Sequence, residues 1–444
     1  MPAGRTGEAG AARFTPAYRS YALGLLFFGY VVNFIDRSIL AILLEPIKLD
    51  LGLNDTELGL LGGLAFAVFY TTLGIPIAAL ADRWSRVRIL SIAMVVWSGM
   101  TALCGLAQTF WMLLLARIGV GVGEAGASPP SHSLISDYFP LETRATALSI
   151  YALGIPFGSM VGNLVGGWGA EALGWRHTFV LVGLPGVVVA LFIWLTLREP
   201  PRGMADARPA PGAPVPGDLP APGVKETLTL LWRRPAFRHI ALAAGLHAFV
   251  GYGAGTWNAP FLIRSHDMPI AEVGSWLAFI SGVGAIGTFL GGYLADKLSE
   301  RFDDKRWYIW VPGLSTIVMV PFQFVAYLYG GVWAVIPSLM VVSVLGGMYL
   351  GPSFAMTQAL VTLRMRAVAS AILLFALNII GMGMGPYLVG VGSDLLAPSS
   401  GVHSLRYALC FAVLVNVWAA CHYFLGARSL RQDLADTEAL NAAR

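Results

Sequence analysis

Charge is scarce in this chain. Lysine, arginine, aspartate and glutamate make up 12% of its 444 residues, about half of what a soluble domain carries. That excludes an ordinary soluble globular protein and a charged disordered one. Cysteine is nearly absent, with three residues, Cys104, Cys410 and Cys421. All three lie in apolar segments without ligand spacing, which excludes a disulfide framework and a cysteine metal centre. The seven histidines are scattered, and no phosphate-cradling glycine loop is present. An enzyme, a bound cofactor and a metal site are therefore not expected, and the energy source must be an ion gradient or the substrate's own gradient. The net charge of +4 is too small and too dispersed to suggest nucleic acid. The polar start at 1–20 has no small-residue cleavage site after a short apolar core, so no signal peptide is expected.

Apolar runs are plentiful. Hydrophobic residues make up 56% of the chain and the mean hydropathy is +0.68. Runs of about 20 residues, the length that crosses a bilayer as a helix, recur throughout. The expectation is an all-α polytopic membrane protein of twelve spans, at 20–46, 56–80, 88–107, 111–138, 144–170, 177–197, 236–264, 272–296, 307–329, 333–362, 367–395 and 404–427. Prolines and glycines crowd 198–226, which reads as an extended linker. The resulting division is a tail at 1–19, a six-helix bundle at 20–197, a linker at 198–235, a second bundle at 236–427 and a tail at 428–444. With both termini cytoplasmic, 23 of the 29 lysines and arginines fall inside, as the positive-inside rule requires of a plasma or inner membrane protein.

The two halves repeat. LADRWSR at 80–86 follows span two, and LADKLSER at 294–301 follows span eight. A parallel duplication of six-helix units places a cavity at the centre. Twelve spans, a central linker, LADRWSR, RIGVGVGEAG in span four and GIPFG in span five together resemble the major facilitator superfamily, over the whole chain. Ser85 and Ala78 stand where that family usually has glycine. NFIDRSIL in span one, RIGVGVGEAGASPPSHSLISDYFP in span four and SLRYAL before span twelve resemble the spinster family, in a bacterial form. That resemblance implies an alternating-access carrier of lysophospholipids or sphingolipids such as sphingosine-1-phosphate, acting as a monomer. It also implies a cytoplasmic latch made by Asp82, Arg83, Arg86 and Arg88, with Asp296 and Lys297 as the second-half counterpart. A solvated, orientation-setting loop is the plainer account of the arginines.

Ionisable residues inside spans are costly unless they face a cavity or a partner. The first half holds four: Asp36 and Arg37 in span one, Arg117 and Glu124 in span four. Asp36 and Arg37 are neighbours about 100° apart on the helix, so each needs its own partner. At 1.5 Å per residue, Asp36 lies roughly 12 Å and Arg117 roughly 9 Å from the outer face, near one level, while Glu124 lies about 10 Å deeper. The expectation is that Asp36 pairs with Arg117 and that Glu124, near the midplane, carries protons with Asp36, because desolvation favours a neutral carboxyl. Arg37 and Arg117 would receive an anionic head group bidentately. Purely structural ion pairs are the rival reading.

The second half is different. Its interior polar groups are mostly neutral: His247, Asn258, Gln358, Asn378 and Asn416. Asn258, Trp257 and Phe261 are candidate substrate contacts, and Met348, Tyr349, Phe354 and Phe375 are candidates for an apolar wall. A charged half and an apolar half suit an anionic amphiphile. A small organic anion or drug-like molecule on the same fold, and a non-transporting receptor, are the alternatives. Gly119, Gly121, Gly123 and Gly126 in span four, and Gly154, Pro156 and Gly158 in span five, are expected to serve close packing and bending.

Overall fold

The computed structural model describes residues 14–81, 83–205 and 223–442, which are helical almost throughout, with no strand among them. Nine helical stretches among the described residues are long and apolar enough to cross a membrane. Two of these, Glu142–Thr196 and Arg366–Asn441, each hold two of the twelve expected spans. The remaining expected span is the helix Pro235–His266, which carries more polar side chains and is not among the nine. Helix ends fall within a few residues of expectation, except that span one runs on to Leu51 and span eight to Phe302. The last helix, Ser404–Ala442, also extends well beyond the apolar run.

Breaks in the helices have local causes. Span four is two helices, Phe110–Glu124 and Ser128–Tyr138. Pro129 and Pro130 cannot donate to the ladder, and they sit in the first turn of the second piece, where donors have no intrahelical partner anyway. Spans five and six are separated at Gly174, whose φ of 78° is open to glycine and strained for other residues.

Two compact units emerge from the packing. One comprises Met1–Ile39, Phe69–Gly162 and Leu173–Val215; the other comprises Leu40–Val68, Asn163–Ala172 and Pro216–Arg444. Within the first, glycines set two close helix crossings. A Cβ on Gly119 or Gly123 would lie 2.7 Å or 2.6 Å from Met100 or Trp97 of span three. A Cβ on Gly158 would lie 2.5 Å from the Val31 carbonyl oxygen. Small residues allow such backbone approach in lipid. These seams press spans three and five against spans four and one, which carry the buried charges. Within the second unit a core of Leu231, Phe237, Ile240, Leu360, Leu373, Tyr423 and Leu430 joins spans seven, ten, eleven and twelve near the linker.

Candidate functional site

The four first-half charges collect inside the first unit. Arg37 Nε donates to Glu124 Oε2 at 2.6 Å. The Glu124 side chain is fully buried, whereas that of Arg37 keeps 20% exposure. Glu124 is the last residue of its helix segment, an end that disfavours an anion, so the guanidinium offsets both the helix dipole and the burial. The rings of Phe34 and Tyr70 flank the guanidinium carbon at 5.0 Å and 4.7 Å, which adds cation–π attraction. Asn33, one turn before Arg37, is a further polar neighbour of Glu124, whose Oε1 has no hydrogen bond among the described residues.

Asp36 is completely buried. Its electrostatic neighbours are Glu124 and Arg117, with Thr101 and Trp97 of span three beside it. Neither carboxylate oxygen has a hydrogen bond of good geometry among the described residues, nor do Thr101 Oγ1 and Trp97 Nε1. Asp36 and Arg117 thus come together electrostatically, as depth suggested, but the short contact of the cluster belongs to Arg37 and Glu124. Asn33, Tyr70, Trp97 and Thr101 were not singled out from the sequence. Asn33 had a signal, since it lies four residues from Arg37 and so on the same helix face.

The second unit contains a cavity of about 350 Å³. It has no charged lining residue among those described. Asn163, Asn258, Ser281 and Gln323 supply polar groups, and Met319, Leu339, Val342 and Tyr349 supply apolar wall. Asn258 Oδ1 accepts from the Tyr327 hydroxyl at 3.0 Å, and Gln323 Oε1 accepts from Asn416 at 2.9 Å. His247 also lines it, with Nε2 3.0 Å from the Gly346 carbonyl and Nδ1 2.9 Å from Thr316 Oγ1. A carbonyl can only accept, so Nε2 donates to it, while the threonine hydroxyl can donate to or accept from Nδ1. Both ring nitrogens therefore have a partner in this structure.

Of the other candidate contacts, Asn258 and Tyr349 reach this cavity and Trp257 and Phe261 do not. Both are fully buried. Trp257 Nε1 donates to the Pro386 carbonyl at 2.8 Å, and Phe261 stacks edge-on against Tyr327. Met348 packs with Ala295 and Val311, and Phe354 lies against the core near the linker. Phe375 is exposed.

The residues expected at the cytoplasmic latch divide. Asp82 lies outside the described residues. Arg83 and Arg88 are exposed. Arg86 is fully buried and committed within its own unit: Nε to Glu199 at 2.7 Å, Nη1 to Asp137 and to Ser133 Oγ at 2.8 Å, and Nη2 to the Pro200 carbonyl at 2.7 Å. Glu199 also accepts from Val87 N–H at 3.0 Å and Ser85 Oγ at 2.7 Å. Burial alone would raise the Glu199 carboxyl. The Val87 amide and the Arg86 guanidinium outweigh it and hold the group below its ordinary value. Asp296 is exposed and accepts from the Tyr308 hydroxyl; Lys297 is exposed.

A further constellation in the second unit was not anticipated. Arg264 of span seven donates Nε to Glu45 at 2.6 Å, and Nη1 and Nη2 to Asp55 at 2.8 Å and 3.0 Å. Asp55 also accepts from Lys48 at 2.5 Å and Ser393 at 2.6 Å. Asp394 accepts from the Asp55 and Thr56 amides at 3.1 Å and 2.7 Å. One turn between spans one and two is thereby fastened to spans seven and eleven.

Residues 26–436 match the family model described as Major Facilitator Superfamily. The chain belongs to the major facilitator superfamily. It is 34% identical over 429 residues to an "MFS-type efflux pump" of Mycolicibacterium smegmatis, covering 96% of each. It is 27% identical over 400 residues to a "Hexuronate transporter" of Bacillus subtilis, covering 88% of this chain and 92% of that one. A solved structure, a bacterial homologue of the human lysosomal transporter spinster in an inward-facing unoccupied conformation, superposes with a TM-score of 0.86. It is 34% identical and covers 95% of this chain and 99% of that chain. This is a membrane transporter of the spinster type, not an enzyme.

Proposed function

We propose that the protein is a proton-coupled, alternating-access carrier of an anionic amphiphile such as a lysophospholipid or sphingolipid. The observation that carries this reading is the Arg37–Glu124 pair, a buried carboxylate held by an arginine whose side chain is partly exposed. An arriving phosphate competes with Glu124 for Arg37 through two oxygens at once. A released carboxylate in apolar surroundings costs several kcal/mol, and a proton removes that cost. Anion binding at Arg37 and protonation of Glu124 are then one linked event, with Asp36 as the second acid beside it and Arg117 as the second cation.

In this reading the carrier acts as a monomer in the plasma or inner membrane, and the lysine and arginine asymmetry supports both termini being cytoplasmic. The outcome is tested by uptake of labelled lysophospholipid into sealed proteoliposomes with and without a pH gradient, for the unaltered protein, Glu124→Gln and Asp36→Asn. Gradient-driven uptake that is lost in Glu124→Gln is expected. Equal uptake in both would remove Glu124 as coupler, and no lipid uptake by folded protein would overturn the lipid reading.

The volume of the cavity favours a second reading. At about 350 Å³ it stands at the small end of small-molecule sites, and with no charged residue among its described lining it suits a small drug-like molecule held whole. Competition of unlabelled small drug-like molecules and small organic anions against lysolipid separates the two.

A further inference from the structure

A short helix, Val224–Arg233, precedes span seven. A single residue, Arg234, with extended backbone, separates it from Pro235, the first residue of the span. The corner is pinned: Arg234 pairs with Asp436 at 2.5 Å, and the Ala236 amide donates to Asp433 at 2.8 Å. With that tether the helix cannot leave the level at which span seven enters the bilayer.

Its faces are sorted. Thr227 and Leu231 are buried against the protein. Val224, Leu228 and Trp232, each four residues on from the last and so on one face, are 63%, 42% and 64% exposed. Lys225, Thr229 and Arg233 form the adjoining stripe and are exposed as well. Neither Lys225 nor Arg233 makes an ion pair with another described residue. The sequence therefore runs from protein-facing, to exposed apolar, to basic around one side of a short helix. An apolar face bordered by basic residues is the pattern of a helix lying in the membrane interface, with lysine and arginine reaching up to the head groups.

We propose that Val224–Arg233 is an interfacial helix that seats Val224, Leu228 and Trp232 at the acyl boundary and binds anionic lipid head groups through Lys225 and Arg233. Two features single out lipid as the occupant. The helix leads into a membrane span, and the charges bordering its exposed apolar face are Lys225 and Arg233, with the one acid of the helix, Glu226, on the far side of that basic stripe, an arrangement complementary to anionic lipid. The ligand class is a phospholipid with net negative charge. This is a site separate from the transport cluster and independent of what is transported.

The test uses the full chain with Cys410 and Cys421 replaced by serine, carrying a bimane label at Trp232→Cys, Leu228→Cys or Thr229→Cys, in nanodiscs. In phosphatidylcholine with phosphatidylglycerol, labels at 232 and 228 should be quenched by lipid bearing a shallow nitroxide. They should also be several-fold less accessible to aqueous iodide than the label at 229. Adding Lys225→Glu and Arg233→Glu should abolish the gain that phosphatidylglycerol gives over phosphatidylcholine alone. Equal iodide access at 232, 228 and 229 would overturn the interfacial seat. Shielding indifferent to phosphatidylglycerol would overturn the anionic ligand. Shielding that appears in detergent and rises with protein concentration would assign the face to a second copy of the chain instead.

Discussion

Arg37 and Glu124 meet at 2.6 Å, although 87 residues separate them in the chain, and their exposures are unequal. The Arg37 side chain keeps 20% exposure and the Glu124 side chain keeps none. That asymmetry makes their substitutions unequal too. Arg37→Ala leaves a buried carboxylate without its cation, a change of about 3–5 kcal/mol. Glu124→Gln leaves a cation that can turn toward water. The melting temperature of Arg37→Ala in detergent should fall well below that of Glu124→Gln, and the double substitution should recover part of the loss. Equal falls would mean that Glu124 does not depend on Arg37 for its charge.

The bundle was legible because a bilayer span needs about 20 apolar residues and the chain repeats that length. The buried charges were legible because a charge in an apolar run stands out. Asn33, Trp97 and Thr101 did not stand out: a neutral polar side chain inside a span is common, and only the folded helices bring these to Asp36. Asp55 was hidden for another reason. It sits at the start of a helix after its asparagine cap, where an acid is ordinary. Its partners Arg264 and Ser393 lie 209 and 338 residues away. Arg86 had partners that its motif did not name. The resemblance implied a cytoplasmic latch, and in this structure the Arg86 guanidinium is engaged by Asp137, Glu199 and Pro200 of its own unit.

Arg264 holds Glu45 and Asp55 with one planar fork, so its shape matters as well as its charge. Arg264→Lys cannot keep both contacts in that geometry. Removing the side chain should cost less than the about 3–5 kcal/mol of a fully buried pair, because 14% of Arg264 is exposed and Lys48 and Ser393 remain on Asp55. A cysteine at Ser393 should become several-fold more reactive toward a membrane-impermeant maleimide in Arg264→Ala, and partly so in Arg264→Lys. No change in either would show that the contacts do not hold the turn between spans one and two.

Arg86 ties the first residues after span six to the inner ends of spans three and four. Arg86→Ala leaves Asp137 nearly buried without its cation and frees Glu199, so a loss of about 3–5 kcal/mol is expected. Limited proteolysis reads the same event locally, since 199–203 lose their anchors. Cleavage there should accelerate in Arg86→Ala, and less in Glu199→Gln, which leaves the Asp137 contact and the Pro200 carbonyl bond in place. Unchanged cleavage would place the anchor elsewhere.

Asp304, between spans eight and nine, gives the sign of one pH effect. Arg306 donates Nε to its two oxygens at 3.1 Å and 2.9 Å and its amide at 3.0 Å, and Arg431 adds a contact at 2.9 Å. Hydrogen bonding from Arg306 is the main cause that lowers the carboxyl to about 2, against an ordinary 3.8. The folded state therefore binds this proton less readily than the unfolded chain. The stability it contributes is complete above the ordinary value and is lost as pH falls toward about 2. Arg431 is 65% exposed, so water and salt screen that contact and the total stays within about 1 kcal/mol. The melting temperature of Asp304→Asn should lie below that of the unaltered protein by a constant small margin from pH 7 to about pH 4. The margin should narrow below that and shrink at 1 M salt. A margin that widened on acidification would mean the carboxyl is protonated more readily in the folded state, and the tie to Arg306 would then not be what fixes this turn.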